Sequence, residues 1–234
     1  MSDVKIVYEL SPKKLKLKNP PLFVCVPSPS LVGTVAGVQL TQKHKFVLVA
    51  NITSDELAPV AAVHDYSLLP PVRLMASEEM NMLCLISEIS IPIGVSNKIA
   101  EAAIRIAKDF SCSHISILSS TTDELKGVHF VSSDKSLSLL LRKTLGAKPL
   151  EEGAIAGIGS TVLIESSLSS IKSYALVVPQ DFSTVDPKAS EELLKSISKL
   201  YKKKIDTREL EEEAKELENT LQKGLTSSEG TMYR

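Results

Sequence analysis

The chain has 234 residues, 43% of them hydrophobic and 24% charged, with a formal net charge of -1. That is an ordinary globular balance, enough for one α/β domain with a C-terminal extension or at most two small domains. It excludes a global basic field for nucleic acid or an anionic membrane, and no apolar run approaches the ~18 residues needed to span a bilayer.

In chain order, Val4 to Leu10 alternates apolar and polar residues, the mark of a half-buried strand. The run Lys13, Lys14, Lys16, Lys18 alternates with Leu15 and Leu17 and reads as one solvated strand face. Leu22 to Val26 is a continuous apolar strand, broken by Pro27-Ser28-Pro29-Ser30. Ser30 is placed to N-cap a helix running to about Gln42. Gly33, Ala36 and Gly37 give that helix a flat stripe where a sheet or another helix can come close.

Phe46 to Ile52 reads as a strand, Pro59 to Val63 is weakly strand-like, and Asp65-Tyr66-Ser67 makes a turn. Pro70-Pro71 sets an extended entry to Val72-Arg73-Leu74-Met75, and Met82 to Ile89 is a strong strand. A helix capped by Ser96 puts Ile99, Ala103, Ile106 and Phe110 on one face. Strands follow at Ile115 to Leu118 and Val128 to Val131, then a helix from Asp134 to near Gly146. Gly153 to Gly159 leads into a helix ending near Leu168, and Tyr174 to Val178 is the last core strand. Asp186-Pro187 opens a helix to about Lys203, with Asp as N-cap and Pro at the first helical position. A final helix starts at Asp206-Thr207, where Glu209 can complete a capping box, and ends near Lys223-Gly224.

Strands alternating with helices over most of the chain predict an α/β fold, a mostly parallel sheet with helices on both faces. We divide the chain into an α/β core over 1–204, an acidic C-terminal helix over 205–224 and a flexible tail over 225–234. The stripe Leu210, Ala214, Leu217, Leu221 of the final helix suits docking on its own domain or on a neighbouring subunit.

Chemistry is sparse. Cys25, Cys84 and Cys112 are far apart, with no CxxC and no zinc spacing. They read as reduced core residues, and with no signal-peptide pattern the expected location is cytoplasmic. No metal or cofactor is expected. Gly157-Ile158-Gly159-Ser160-Thr161 at a helix start could hold an anion, but it lacks the Lys of a P-loop and the full G-x-G-x-x-G pattern. We read its glycines as close-packing positions. His64 beside Asp65, and Glu88 at a strand end, are the titratable groups to test if activity appeared; we assign no catalytic residue.

The tail is more specific. Met232-Tyr233-Arg234 follows the polar run from Thr226 to Thr231, which has no apolar face to bury. An apolar residue, a Tyr and a terminal carboxylate suit capture in a pocket of another protein. Met232, Tyr233 and Arg234 are therefore the predicted partner-binding residues.

Several patches together resemble the proteasome assembly chaperone 2 family in its archaeal form. They are Leu31 to Gly37, Pro70-Pro71-Val72-Arg73, Glu88-Ile89-Ser90-Ile91-Pro92, Gly153 to Ile158, Asp186-Pro187-Lys188-Ala189 and Ile205 to Leu210. The resemblance implies a fold similar to purine nucleoside phosphorylase, no catalysis and self-assembly into homo-oligomers. It also implies that the hydrophobic-Tyr-any ending, here Met232, Tyr233 and Arg234, docks on 20S proteasome α subunits. The chain departs from the family at Pro27-Ser28-Pro29-Ser30 and at Val178-Pro179-Gln180, where members carry glycine. Those departures count against an inherited small-molecule site. Two functions are therefore expected to compete: a non-enzymatic proteasome assembly chaperone or adaptor, and a small-molecule binder or enzyme using the crevice at the strand C-termini.

Overall fold

A computed structural model describes residues 3–27, 30–64, 66–153, 155–181 and 185–216. The strands are β1 (Lys5–Tyr8), β2 (Pro21–Cys25), β3 (Val47–Thr53), β4 (Ala62–His64), β5 (Ser67–Leu69), β6 (Val72–Ser77), β7 (Met82–Ser87), β8 (His114–Thr121), β9 (His129–Ser132), β10 (Lys148–Pro149) and β11 (Ser173–Pro179). The helices are α1 (Val32–Lys43), α2 (Ile93–Asp109), α3 (Lys135–Leu145), α4 (Ile158–Leu168) and α5 (Pro187–Tyr201), followed by helical residues 208–216.

Nine strands form one mixed sheet in the order β1-β3-β6-β7-β2-β8-β11-β9-β10, and β4 pairs with β5 in a separate hairpin. The four central strands β7, β2, β8 and β11 run parallel. Antiparallel strands extend both sides: β6, β3 and β1 beyond β7, and β9 beyond β11. The centre is the parallel α/β arrangement expected. The meander β3-β6-β7 has no intervening helix, so strand and helix do not alternate there.

Side chains of each central strand alternate between two apolar cores, one on each face of the sheet. Leu22 and Val24 of β2 join Ile99 and Ile106 of α2 and Val162 of α4 on one face. Phe23 and Cys25 join Val32, Ala36 and Leu40 of α1 and Leu193 and Ile197 of α5 on the other. The small-residue stripe of α1 serves the close approach predicted. A Cβ on Gly33 would stand 2.3 Å from the carbonyl oxygen of Leu118 in β8, and one on Gly37 2.4 Å from Cβ of Cys25. Among the described residues no helix is long and apolar enough to cross a membrane.

Two predicted caps form. Asp134 accepts a hydrogen bond from the Leu137 amide at the start of α3, and Asp186 accepts from the Ala189 amide at the start of α5. Gly146 ends α3 in the left-handed conformation at φ 70°. Three others do not. The N-cap position of α1 falls to Leu31, one residue later than predicted, although the Ser30 hydroxyl accepts from the Val32 amide at 3.3 Å as well as pairing with Ser120. Helix α2 starts at Ile93 after Pro92, and the Ser96 hydroxyl donates back to the Pro92 carbonyl. Glu209 completes no capping box and pairs instead with Lys43 of α1. The Lys13–Lys18 run is not a strand either. Pro12–Lys14 forms a 3-10 turn, and Leu15 and Leu17 pack against the core beside α2.

Candidate functional site

The crevice at the strand C-termini exists. It is a cleft of about 180 Å³ where Ser119, Ser120 and Thr121 end β8, Gln180 follows β11, and Leu150, Gly153 and Ile155 form one wall. Ser30 from the loop after β2 reaches into this region. Its hydroxyl lies 2.6 Å from that of Ser120, and Ser120 in turn donates to the Gln180 side-chain oxygen. The Gln180 amide donates to the Thr121 carbonyl at 2.9 Å. These polar groups satisfy one another. Asp123 supplies the one carboxylate among the described lining residues, and none of them is Lys, Arg or His. Nothing there complements a phosphate. Ser28 and Pro29 of the first loop, and Ala154, lie outside the described residues.

At Gly157 the helix start uses one of the two hydroxyls of the anion lead internally. Gly157 sits at the N-cap of α4 with φ 75°, and the Ser160 hydroxyl donates to its carbonyl at 2.7 Å. Gly159 is buried in the helix start. Among the described residues no group of three or more His, Cys, Asp or Glu side chains is placed to hold a metal ion.

His64 and Glu88, flagged separately from the sequence, meet each other. His64 Nε2 lies 2.9 Å from both Glu88 carboxylate oxygens, and His64 Nδ1 lies 2.8 Å from Gln42 Nε2 at the end of α1. Glu88 also pairs with Arg73 of β6, whose side chain is 2% exposed and donates to the Pro70 carbonyl at 3.0 Å. Arg73 Nε is buried without a hydrogen-bond partner among the described residues. A buried guanidinium needs a nearby carboxylate. The cluster is therefore a clamp joining β6, the end of β7, α1 and the β4–β5 hairpin. It faces no crevice residue, and we read Glu88 as the counter-ion of Arg73.

The opposite end of β8 is sealed by aromatic groups. His114 Nε2 is 2.7 Å from the Tyr201 hydroxyl, and the Tyr201 and Tyr174 hydroxyls are 3.2 Å apart. Burial, aided by the positive charge of Lys172, pushes the His114 pKa down to about 4. Burial pushes Tyr201 well above its ordinary value.

The start of the final helix docks on its own domain. Leu210 is buried in the core on the α1–α5 face, Glu209 pairs with Lys43 of α1, and Thr207 donates to Glu211. Leu217 and Leu221 of the stripe, the end of that helix and the tail residues Met232, Tyr233 and Arg234 lie outside the described residues.

Sequence reasoning placed the crevice but missed the residues that line it. The hydroxyl triplet Ser119-Ser120-Thr121 directly after the apolar run of β8 was the available signal for a strand end. Sequence reasoning also read Pro59 to Val63 as weakly strand-like and a turn at Asp65-Tyr66-Ser67, and assigned no outward apolar face to the hairpin that Ala62–His64 forms with Ser67–Leu69.

A parallel-centred α/β sheet with helices on both faces is the class this fold defines. The PAC2 family model matches residues 22–224. The chain belongs to the PAC2 family. It is 24% identical over 214 residues to the uncharacterized protein MJ0106 of Methanocaldococcus jannaschii, covering 89% of this chain and 86% of that protein. Its fold is similar to that of PbaA from Pyrococcus furiosus, described as an archaeal homolog of proteasome-assembly chaperone. There the TM-score is 0.84 at 21% identity, with 97% of this chain and 94% of PbaA covered. It is also similar to PbaB from the same organism, described as an archaeal proteasome activator. That match has a TM-score of 0.78 at 19% identity, covering 95% of this chain and 99% of PbaB.

Proposed function

We propose that the protein is a proteasome-related assembly chaperone or adaptor of the cytoplasm, of the archaeal type, that acts without catalysis. The match of the PAC2 family over residues 22–224 carries this reading. The likeness to PbaA and PbaB supports it. So does the crevice, whose polar groups are spent on one another.

The mechanism we propose is multivalent. In this proposal residues 1–204 serve as the α/β core, residues 205–224 as the acidic C-terminal helix and residues 225–234 as the tail. The core assembles into a homo-oligomer, and each copy offers Met232, Tyr233 and Arg234 to a pocket on a 20S proteasome α subunit. Ordering a tail offsets much of its contact energy, so each copy binds weakly and avidity holds the complex.

The test is binding of immobilised archaeal α subunits by the full chain, Tyr233→Ala, and a version with two alanines added after Arg234. Both changes are expected to lower affinity by at least tenfold and leave thermal stability untouched. Full-strength binding by Tyr233→Ala would remove the tail from the mechanism.

The hydroxyl-lined cleft at Ser119, Ser120, Thr121 and Gln180 favours one second reading, a binder of a small neutral ligand at the strand ends. Thermal shifts with nucleosides, phosphate and amino acids check it, and no shift with any of them leaves it without support.

A further inference from the structure

The β4–β5 hairpin stands apart from the main sheet, yet its outward face is apolar. Val63 and Leu68 are cross-strand partners in it, 67% and 73% exposed, and Val60 beside them is 53% exposed. Tyr66, in the turn, is fully exposed at 105% and holds φ 62°. A Tyr in the left-handed region costs roughly 1–2 kcal/mol, and Gly or Asn would relieve it. Nothing in the monomer compensates either the strain or the exposure. A two-stranded hairpin alone is marginal in water. This one is held by the clamp beneath it, His64 against Glu88 and Gln42, with Glu88 fixed by the buried Arg73. It is a pre-organised apolar projection.

Beside the projection lies a recess. An open groove of about 320 Å³ is lined by Leu48, Val60, Leu68, Leu69, Pro70 and Pro71, and Glu9 is the one charged group among its described lining residues. One surface therefore carries both a knob and a matching apolar hole. From Leu57 to Val72 the sequence holds a single Asp and a single His, so the face does not repel a copy of itself. A contact in which residue i meets j while j meets i is the isologous kind that builds symmetric oligomers.

We propose that the outward face of the β4–β5 hairpin is where two copies of this chain meet. Tyr66 and the Val63–Leu68 pair of one copy enter the Leu48–Pro71 groove of the other. This rests on the homo-oligomer proposed above and names its contact surface. The groove beside exposed Ile164 of α4 is lined mainly by charged residues, Glu101, Arg105, Lys108 and Glu165, and neither it nor exposed Leu139 of α3 is assigned such a role.

The experiment is the mass of the full chain in solution, by light scattering after size exclusion over a concentration series. The variants are Leu68→Glu, Tyr66→Asn and, as an exposed control on α3, Leu139→Glu. Wild type and Leu139→Glu are expected at the same multiple of the monomer mass. Leu68→Glu is expected to fall by at least one subunit with an unchanged circular dichroism spectrum. Tyr66→Asn separates the two roles of the tyrosine. It should melt no lower than wild type, because it relieves the backbone, yet dissociate at tenfold or more higher concentration. If Leu68→Glu and Tyr66→Asn both keep the wild-type mass, the contact lies elsewhere and the hairpin inference falls while the oligomer stands. If Leu68→Glu keeps its mass but loses α-subunit binding, the hairpin serves that partner and the inference is overturned. A wild type that is monomeric at every concentration overturns both the oligomer and the contact.

Discussion

The crevice at the strand ends and the clamp under the hairpin are both buried polar clusters, and they are built on opposite principles. The crevice joins neutral groups, the Ser30 and Ser120 hydroxyls and the Gln180 amide, each satisfied by the next. The clamp is ionic, with a guanidinium 2% exposed against a carboxylate shared with His64. Each neutral hydrogen bond of this kind contributes a modest net gain of about 0.5–1.5 kcal/mol, and losing one member leaves its buried partners unsatisfied at about 1–3 kcal/mol. A buried ion pair contributes little over an apolar replacement but is expensive to break halfway. The neutral cluster lies where an α/β enzyme would keep its ligand, and the ionic one supports a projection that ends in bare apolar side chains. The part of this domain most expensively fixed thus lies beneath its exposed apolar hairpin.

The largest effect should come from the clamp. Glu88→Leu strands Arg73 in the core and is expected to cost about 3–5 kcal/mol of folding free energy in denaturant titration. The double variant Glu88→Leu with Arg73→Met should recover most of that loss. A single variant as stable as wild type would show that Arg73 is not held by its carboxylate, and the contrast with the crevice would collapse.

His114 lies between the extremes, buried but neutral. Its ordinary pKa is near 6.5 and the folded value is about 4, so the unfolded chain binds the extra proton first. The stability tied to its neutral form is fully present above about pH 6.5 and is lost as pH falls from 6.5 toward 4. The loss amounts to about 3 kcal/mol. Unfolding followed between those pH values should show this slope in wild type and a flatter one in His114→Asn. Equal slopes would place the acid sensitivity elsewhere.

The smallest effect belongs to the crevice. Ser120→Ala removes the middle of the neutral chain, leaves the buried Ser30 hydroxyl and Gln180 side-chain oxygen without it, and is expected to cost about 1–3 kcal/mol, with no change in α-subunit binding. A larger loss, or any loss of binding, would mean that the crevice takes part in function.

Local signals in the sequence carried far. Asp134, Gly146 and Asp186 act as caps because each needs only its own next turn of backbone. The α1 glycines were readable because close packing leaves small residues at helical spacing. Ser30 and Ser96 failed as caps for a reason no local pattern contains. Ser30 divides its hydroxyl between the Val32 amide and a hydroxyl ninety positions away while Leu31 holds the N-cap position, and the helix after Pro92 begins before Ser96 is reached. The alternating run of Lys13 to Lys18 followed a strand period, but Pro12 and a 3-10 turn placed it off the sheet. The clamp was illegible for the same reason. His64 and Glu88 were each visible as polar groups near turns, and only the meander β3-β6-β7 and its hairpin bring them to Arg73. The hairpin's apolar face could not be told from core, since exposure is set by what remains uncovered.

The central claim is that the tail, held away from a pre-organised body, engages the proteasome. It is tested most directly by co-elution with archaeal proteasome α subunits of the full chain and of a chain ending at Thr231. The account predicts that the full chain co-elutes and the shortened one does not, both keeping the same fold and mass. Equal co-elution of the two would contradict it and move the contact to the body.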